Sequence, residues 1–279
     1  MRTLNLIYPE HSDIVFSITT FPDGQPHIRI DATTVKAEWY NEPLRIFTRI
    51  NHPSDLLLVL FAKNALNYMG FQSVELHVSY LMAARMDRVM VEGEPFSLKV
   101  VAQMINMTGF SKVKIFDPHS EVSTALIDKA YAVNNHAFVA DAMAHYFESH
   151  TRQAYSLVSP DAGALKKIHK LAAHLDEYEV IECSKMRDVK TGVLTGFNTA
   201  TDDLVGKTCF IVDDICDGGG TFAGTAKMLK EKGATKVHLI ISHGIFSKGP
   251  VIDFVDEIYT TDSYAHIEGV HCFSINKYM

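Results

Sequence analysis

The sequence predicts an α/β protein of two domains built on mainly parallel sheets. Apolar runs of strand length alternate with segments of helical period along the whole chain, the plan of a parallel sheet covered by helices. At 279 residues the chain is longer than one ordinary α/β core serves, so two cores are expected. One stretch, Cys209 to Phe222, runs from an apolar strand through adjacent carboxylates and three consecutive glycines into a helix. That junction is characteristic of a parallel sheet with its ligand loops at the carboxyl ends of strands.

In the first half, Thr3 to Tyr8 and His27 to Ile30 read as strands. Between them lies Phe21-Pro22-Asp23-Gly24-Gln25, whose Pro-Asp-Gly is turn chemistry. Leu44 to Thr48 is a further strand. Ser54 is expected to cap the next helix, with Asp55 in its first turn, Leu57, Leu60, Phe61, Ala65 and Leu66 facing the core, and Gly70 ending it. The strand Val74 to Leu81 runs out into Met82-Ala83-Ala84-Arg85-Met86-Asp87-Arg88. Two arginines there suit an anionic ligand, or simply a solvated loop. A helix after Glu94-Pro95 turns Leu98, Val101, Ile105 and Met107 to the sheet. The strand Lys112 to Phe116 then presents Asp117-Pro118-His119, a histidine that is a metal ligand, an acid/base or a structural residue.

The alternation begins again between residues 130 and 140, which sets expected domains at 1–135 and 136–279. A helix over Ala137 to Glu148 precedes the strand Ala154 to Val158, which delivers Ser159-Pro160-Asp161-Ala162-Gly163. Leu165, Ile168, Leu171 and Leu175 form the next inner stripe. The strand Glu179 to Glu182 leads into a polar, basic excursion from Cys183 to Gly192 that carries Lys185 and Arg187. The Cys209 strand follows, with a helix from near Thr221 turning Ala223, Ala226, Met228 and Leu229 inward. Lys236 to Ser242 and a last α/β turn complete the chain.

The chemistry of the Cys209 to Phe222 stretch is specific. Glycines let backbone N–H groups close on phosphate oxygens, and a helix N-terminus adds favourable partial charge. The loop has no Gly-Lys-Thr/Ser, which excludes a Walker A site. Asp213 and Asp214 stand where vicinal hydroxyls of a sugar are held. Phosphate at one end and diol acceptors at the other describe a ribose phosphate.

A net charge of −7 without a Lys/Arg cluster excludes a nucleic-acid partner. Cys183, Cys209, Cys216 and Cys272 lack C-x-x-C spacing and read as reduced thiols of a cytoplasmic protein. No signal-peptide pattern opens the sequence, and the apolar run Leu56 to Ala62 is too short for a bilayer, so no membrane role is expected.

Together the motifs resemble the ribose-phosphate pyrophosphokinase (phosphoribosyl pyrophosphate synthetase) family. Five blocks in order carry the resemblance: Phe21 to Gln25, Ala84 to Arg88, Asp117 to His119, Val158 to Gly163, and the Val212 to Thr221 loop. It implies two tandem phosphoribosyltransferase-like (type I) domains, an active site between them, and a homodimer or higher homo-oligomer. It implies Mg²⁺-dependent diphosphate transfer from ATP to ribose 5-phosphate. Asp213 and Asp214 would hold the ribose hydroxyls, and Asp217, Gly218, Gly219, Gly220 and Thr221 the 5′-phosphate, with Asp161 nearby. Arg85, Asp87, Arg88 and His119 would face ATP, and Phe21, Asp23 and Gln25 would take adenine across a subunit interface. His119 and Asp161 would serve the metal. Lys185 and Arg187 match the family's catalytic Lys-x-Arg pair.

The chain departs from the family pattern at Met86 (commonly Gln), Val89 (commonly basic), Gln25 (frequently Glu) and Gly218, where the family's phosphate loop carries Thr or Ser. A missing hydroxyl at Gly218 raises the alternative of a 5′-substituted acceptor such as ADP-ribose, in NAD salvage. A nucleobase phosphoribosyltransferase would need only one such domain. A catalytically silent regulatory homologue would be expected to lose the loop cations, which are kept here.

Overall fold

The computed structural model describes residues 1–150, 154–176, 179–187 and 194–279, with the backbone alone for 185–187 and 194–195. The chain divides into two compact units, Met1–Asn134 with Met279, and Asn135–Tyr278.

In unit 1, β1 (Arg2–Asn5) is followed by a hairpin of β2 (Phe16–Thr20) and β3 (Pro26–Ile30). Then come β4 (Leu44–Ile50), α1 (Pro53–Tyr68), β5 (Val74–Leu81), α2 (Ser97–Asn106), β6 (Lys112–Phe116), α3 (Val122–Leu126) and β7 (Ala130–Val133). The main sheet is all parallel in the order β1-β4-β5-β6-β7, and β2–β3 pair only with each other. Leu4, Leu44, Ile46, Leu76, Val78 and Ile115 of this sheet are buried with Leu56, Val59, Ala62 and Leu66 of α1.

Three local expectations change for physical reasons. β1 stops at Asn5, short of Tyr8, because Asn5 Oδ1 accepts the N–H groups of Ile7 and Tyr8 at 3.1 and 2.9 Å and folds the chain. α1 starts at Pro53, and Asp55 rather than Ser54 secures it, accepting the Asn51 and His52 N–H groups at 2.9 Å. Its buried face is Leu56, Val59, Ala62, Lys63 and Leu66, so Leu66 is inside as expected while Leu57, Leu60, Phe61 and Ala65 lie beside that face. The apolar run from Leu56 to Phe61 has no polar interruption to set the phase. Met107, expected inside, lies one residue past α2 and is exposed.

Unit 2 comprises α4 (His136–Ser149), β8 (Tyr155–Ser159), α5 (Leu165–His174), β9 (Val180–Arg187), β10 (Leu194–Thr199), β11 (Thr208–Cys216), α6 (Gly220–Glu231), β12 (Lys236–Gly244), β13 (Glu257–Thr261) and β14 (His271–Phe273). The sheet order is β10-β9-β8-β11-β12-β13-β14, parallel except for β9 with β10. β9 continues past the expected end at Glu182 because β10 offers an antiparallel partner, pairing Lys185 with Phe197 and Arg187 with Leu194. The expected last α/β turn is instead two strands, β13 and β14, joined without an α-helix.

The order of this sheet positions the site. From β8 the chain builds outward through β9 and β10, then returns to β8's other side with β11 and proceeds to β12. Such a reversal opens a crevice between the carboxyl ends of two neighbouring strands, here β8 and β11. Unit 1 adds β4, β5, β6 and β7 in one direction and has no reversal.

Candidate active site

The β8–β11 ladder ends at the pair Val158 and Ile211, whereas β11 stays paired with β12 as far as Cys216 and Gly244. Asp213 and Asp214 therefore stand on a strand that projects past its β8 neighbour. Alternation along β11 separates them: Asp214 is buried, and Asp213 is partly accessible. The Asp214 N–H donates to Asp213 Oδ1 at 2.9 Å. The Asp213 carboxyl is pushed well above its ordinary pKa, first by burial and then by the Asp214 charge, with Asp161 adding to it. Lys167, in the first turn of α5, brings its Nζ to 3.4 Å from Asp214 Oδ2.

Beyond Asp217, Gly219 takes the left-handed conformation (φ +73°) and is the N-cap of α6, and no side chain caps that helix. The N–H groups of an uncapped first turn suit a phosphate. Gly219 is required by its φ, but neither Gly218 nor Gly220 has a positive φ. Thr221 follows in the first turn of α6 and is partly accessible. Across the crevice, Asp161 turns Oδ1 back to accept the N–H groups of Gly163 at 2.9 Å and Ala164 at 3.1 Å. A Cβ on Gly163 would lie 3.1 Å from that oxygen, so the turn needs its glycine.

Unit 1 gathers a second set of groups at the carboxyl ends of β5 and β6. The chain leaves β5 through Ala83 (φ +64°) and β6 through Asp117 (φ +32°), two strained non-glycine residues. Met82 N–H donates to Ile50 O at 2.8 Å, and Asp117 N–H to Val133 O at 2.7 Å, which tie both exits to neighbouring strands. Asp87 pairs in a fork with Arg88, Nε to Oδ1 at 2.7 Å and the second nitrogen to Oδ2 at 3.2 Å. Hydrogen bonds from Arg88 and then Ser120 pull the Asp87 carboxyl down to about 2, helped by the His119 charge. The Arg85–Arg88 and Asp117–Ser120 loops thus adjoin, with Arg85 and His119 exposed.

Phe21, Asp23 and Gln25 sit at the tip of the β2–β3 hairpin, all exposed. The tip is held by Gly24 N–H to Phe21 O at 2.8 Å and Gln25 N–H to Asp23 Oδ1 at 3.1 Å. Lys185 and Arg187 lie on the β9 backbone, and their side chains fall outside the described ones. Residues 188–193 of the expected excursion also lie outside the described residues. The thiols of Cys183, Cys209 and Cys216 are pushed up to about 12 by burial, which leaves them chemically quiet.

Two residues of this site escaped the sequence reading. One is Lys167; the other is Lys248, whose side chain lies over Gly218. Lys167 had a signal, because lysines at 166 and 167 occupy the first turn of α5, where the helix dipole disfavours cations.

Among the described residues no group of three or more His, Cys, Asp or Glu side chains could hold a metal ion. A cation here would therefore take most of its shell from water and substrate phosphates, a coordination that Mg²⁺ accepts. No helix among the described residues is long and apolar enough to cross a membrane.

Over residues 132–274 the chain matches the family model of the phosphoribosyl transferase domain. Fold and site together define a protein of the phosphoribosyltransferase class, with two tandem α/β domains of that type. Ribose-phosphate pyrophosphokinase of Thermococcus kodakarensis is 30% identical over 255 residues, spanning 88% of this chain and 84% of its own. Its counterpart from Pyrococcus abyssi is 28% identical over 86% of this chain and 80% of its own. The crystal structure of phosphoribosylpyrophosphate synthetase from Mycobacterium smegmatis shares the fold, with a TM-score of 0.78 over 99% of this chain and 96% of that one at 18% identity. The chain belongs to the ribose-phosphate pyrophosphokinase family, a family of ATP-dependent diphosphotransferases.

Proposed function

We propose that the protein transfers the terminal diphosphate of ATP to the anomeric hydroxyl of ribose 5-phosphate, giving phosphoribosyl pyrophosphate and AMP. The observation that carries this reading is the β8–β11 crevice, where a carboxyl pair at the end of β11 is followed directly by an uncapped glycine loop at the start of α6. Asp213 and Asp214 bind the ribose hydroxyls, and Asp217 through Thr221 bind the 5′-phosphate, with Asp161 beside them. The anomeric oxygen forms a bond to the β-phosphorus of ATP as the bond from that phosphorus to the α,β-bridging oxygen breaks. The electron pair leaves with AMP, and the hydroxyl proton passes to solvent.

Charge builds on the transferring diphosphate, so fixed cations contribute most. Lys185 and Arg187 take that role, and Arg85 with the Asp87–Arg88 pair orients the ATP phosphates. His119 and Asp161 are the residues that would meet Mg²⁺ arriving with the substrate phosphates, and the ion would supply neutralisation of phosphate charge. Phe21, Asp23 and Gln25 take adenine from a neighbouring copy in a homodimer or higher oligomer, in the cytoplasm. Lys185→Ala is expected to lower AMP release by orders of magnitude while ribose 5-phosphate still binds. An unchanged rate would remove Lys185 from the mechanism.

One observation favours a second reading, transfer to a ribose whose 5′-phosphate is itself substituted, as in ADP-ribose. Gly218 has no backbone need for glycine, and a Cβ at Gly220 would meet nothing within 4 Å. The loop is thus open beside the phosphate beyond what its fold requires. Mass spectrometry of products from ATP with ribose 5-phosphate or ADP-ribose separates the two acceptors. Efficient use of ribose 5-phosphate with none of ADP-ribose would reject the second reading.

A further inference from the structure

A second loop lies against the phosphate loop. After β12, the N–H groups of Ile245 and Phe246 both donate to Cys216 O, at 2.9 and 3.1 Å, which pins this loop to the end of β11. Phe246 takes a positive φ of 46° and buries its ring, and Gly249 N–H donates to Phe246 O at 2.8 Å to close a turn. Further on, Ile252 packs so closely that a Cβ on Gly219 would lie 3.1 Å from its Cγ1. Lys248 sits in the turn between these anchors and is exposed.

The Lys248 side chain crosses Gly218. A Cβ built on Gly218 would lie 3.6 Å from Lys248 Cε and 3.7 Å from Cδ, ordinary contact distances. Alanine would therefore fit at 218, but a hydroxyl-bearing branch extends into the volume the lysine stem fills. The ammonium is one bond beyond Cε. At this position the chain carries an exposed cation where a Ser or Thr side chain would offer a neutral hydroxyl.

We propose that Lys248 is a specificity-determining residue that binds a second anionic group on the acceptor, the distal phosphate of a ribose 5′-diphosphate. This rests on the second reading above. A monophosphate is already met by the N–H groups at the start of α6, so an added cation on the outer side of the loop has most to contribute to a further phosphate. The open volume at Gly220 leaves that group a way out, and the transfer at the anomeric carbon is unchanged by it.

The test compares wild type, Lys248→Ala and Lys248→Arg with ATP and either ribose 5-phosphate or ADP-ribose, following AMP release and the Kd of each acceptor. Lys248→Ala should lower kcat/KM for ADP-ribose about tenfold more than for ribose 5-phosphate, through KM, as expected for loss of one charge-assisted contact. Lys248→Arg should restore most of the ratio. Equal losses on both acceptors, with wild type using ADP-ribose, would overturn the role of Lys248 and leave the second reading standing. If wild type neither turns over nor binds ADP-ribose, both are overturned, while AMP release with ribose 5-phosphate still supports the first reading.

Discussion

Lys167 Nζ stands 3.4 Å from Asp214 Oδ2, joining the first turn of α5 to the strand that carries the Asp213–Asp214 pair. The Asp214 side chain is 7% exposed and the lysine 39%, so the carboxylate is enclosed while its cation remains partly solvated. The contact also spans the β8–β11 crevice, because α5 leaves from β8 and Asp214 belongs to β11.

Lys167→Met should therefore act on the acceptor rather than on the fold. Without the ammonium, Asp214 loses a cation 3.4 Å away, and the Asp213–Asp214 pair will hold a proton more tightly. Acceptor KM is expected to rise about tenfold, and the acid limb of kcat/KM to move to higher pH. A KM for ATP that rises equally would place Lys167 elsewhere in the reaction.

Asp213 carries a cost in the absence of substrate. Burial and the neighbouring charges of Asp214 and Asp161 hold its carboxyl well above the ordinary 3.8. An acid raised in the folded state contributes stability below about its unfolded value, and that contribution is lost as pH rises through the folded one. At any pH above its unfolded value the raised carboxyl is a liability, so Asp213→Asn should raise the Tm near neutral pH by roughly 2–4 °C while impairing use of the acceptor. The gain should vanish below about pH 4, where wild type also carries a neutral side chain. Melting curves from pH 4 to 8 check both parts, and a lower Tm at pH 7 would contradict this account.

The acid side of stability belongs to a histidine away from the site. His238 on β12 is buried between Phe210 at 5.3 Å and Tyr146 at 4.4 Å between ring centroids; among the described residues neither ring nitrogen has a hydrogen-bond partner, and Glu257 Oε2 lies 3.6 Å from Nδ1. Burial lowers its pKa to about 4, against an ordinary 6.5. A base depressed in this way leaves stability intact above about 6.5. Stability is then lost as pH falls from 6.5 to 4, because the unfolded chain takes up the proton first. His77 on β5, also lowered to about 4, adds to the same limb in unit 1. His238→Phe should keep the aromatic stack and flatten the fall in Tm between pH 6.5 and 4. An unaltered acid slope would assign the effect to other groups.

Most of this fold was legible because strand-length segments rich in β-branched and aromatic residues alternate with helical stripes along the chain. Val74–Leu81 and Lys112–Phe116 have the expected limits. α1 misled in its phase because its apolar run from Leu56 to Phe61 carries no polar marker, and β9 because an antiparallel partner 10 residues on is invisible to local pattern. Within the site, the glycine loop and Asp213–Asp214 were plain, being contiguous in sequence. Lys167 and Lys248 were not, because each reaches its partner across the sheet order, from α5 to β11 and from the loop after β12 to the loop after β11.

The β9–β10 arm that carries Lys185 and Arg187 is docked on α6 through one glycine. A Cβ on Gly224 would lie 1.8 Å from Phe197 Cε2 and 2.4 Å from Cζ, so the ring rests directly on the helix backbone. Phe197 is in turn the strand partner of Lys185. A methyl at 224 must push the ring away and carry the arm with it. Gly224→Ala is therefore expected to reduce kcat about tenfold or more, while Kd for ribose 5-phosphate, which we assign to Asp213 through Thr221, changes by less than about threefold. Adding Phe197→Ala to this variant opens the space again and should recover part of the lost kcat. If Gly224→Ala leaves kcat intact, the ring contact holds the arm's stability alone and the role proposed for Lys185 does not depend on it.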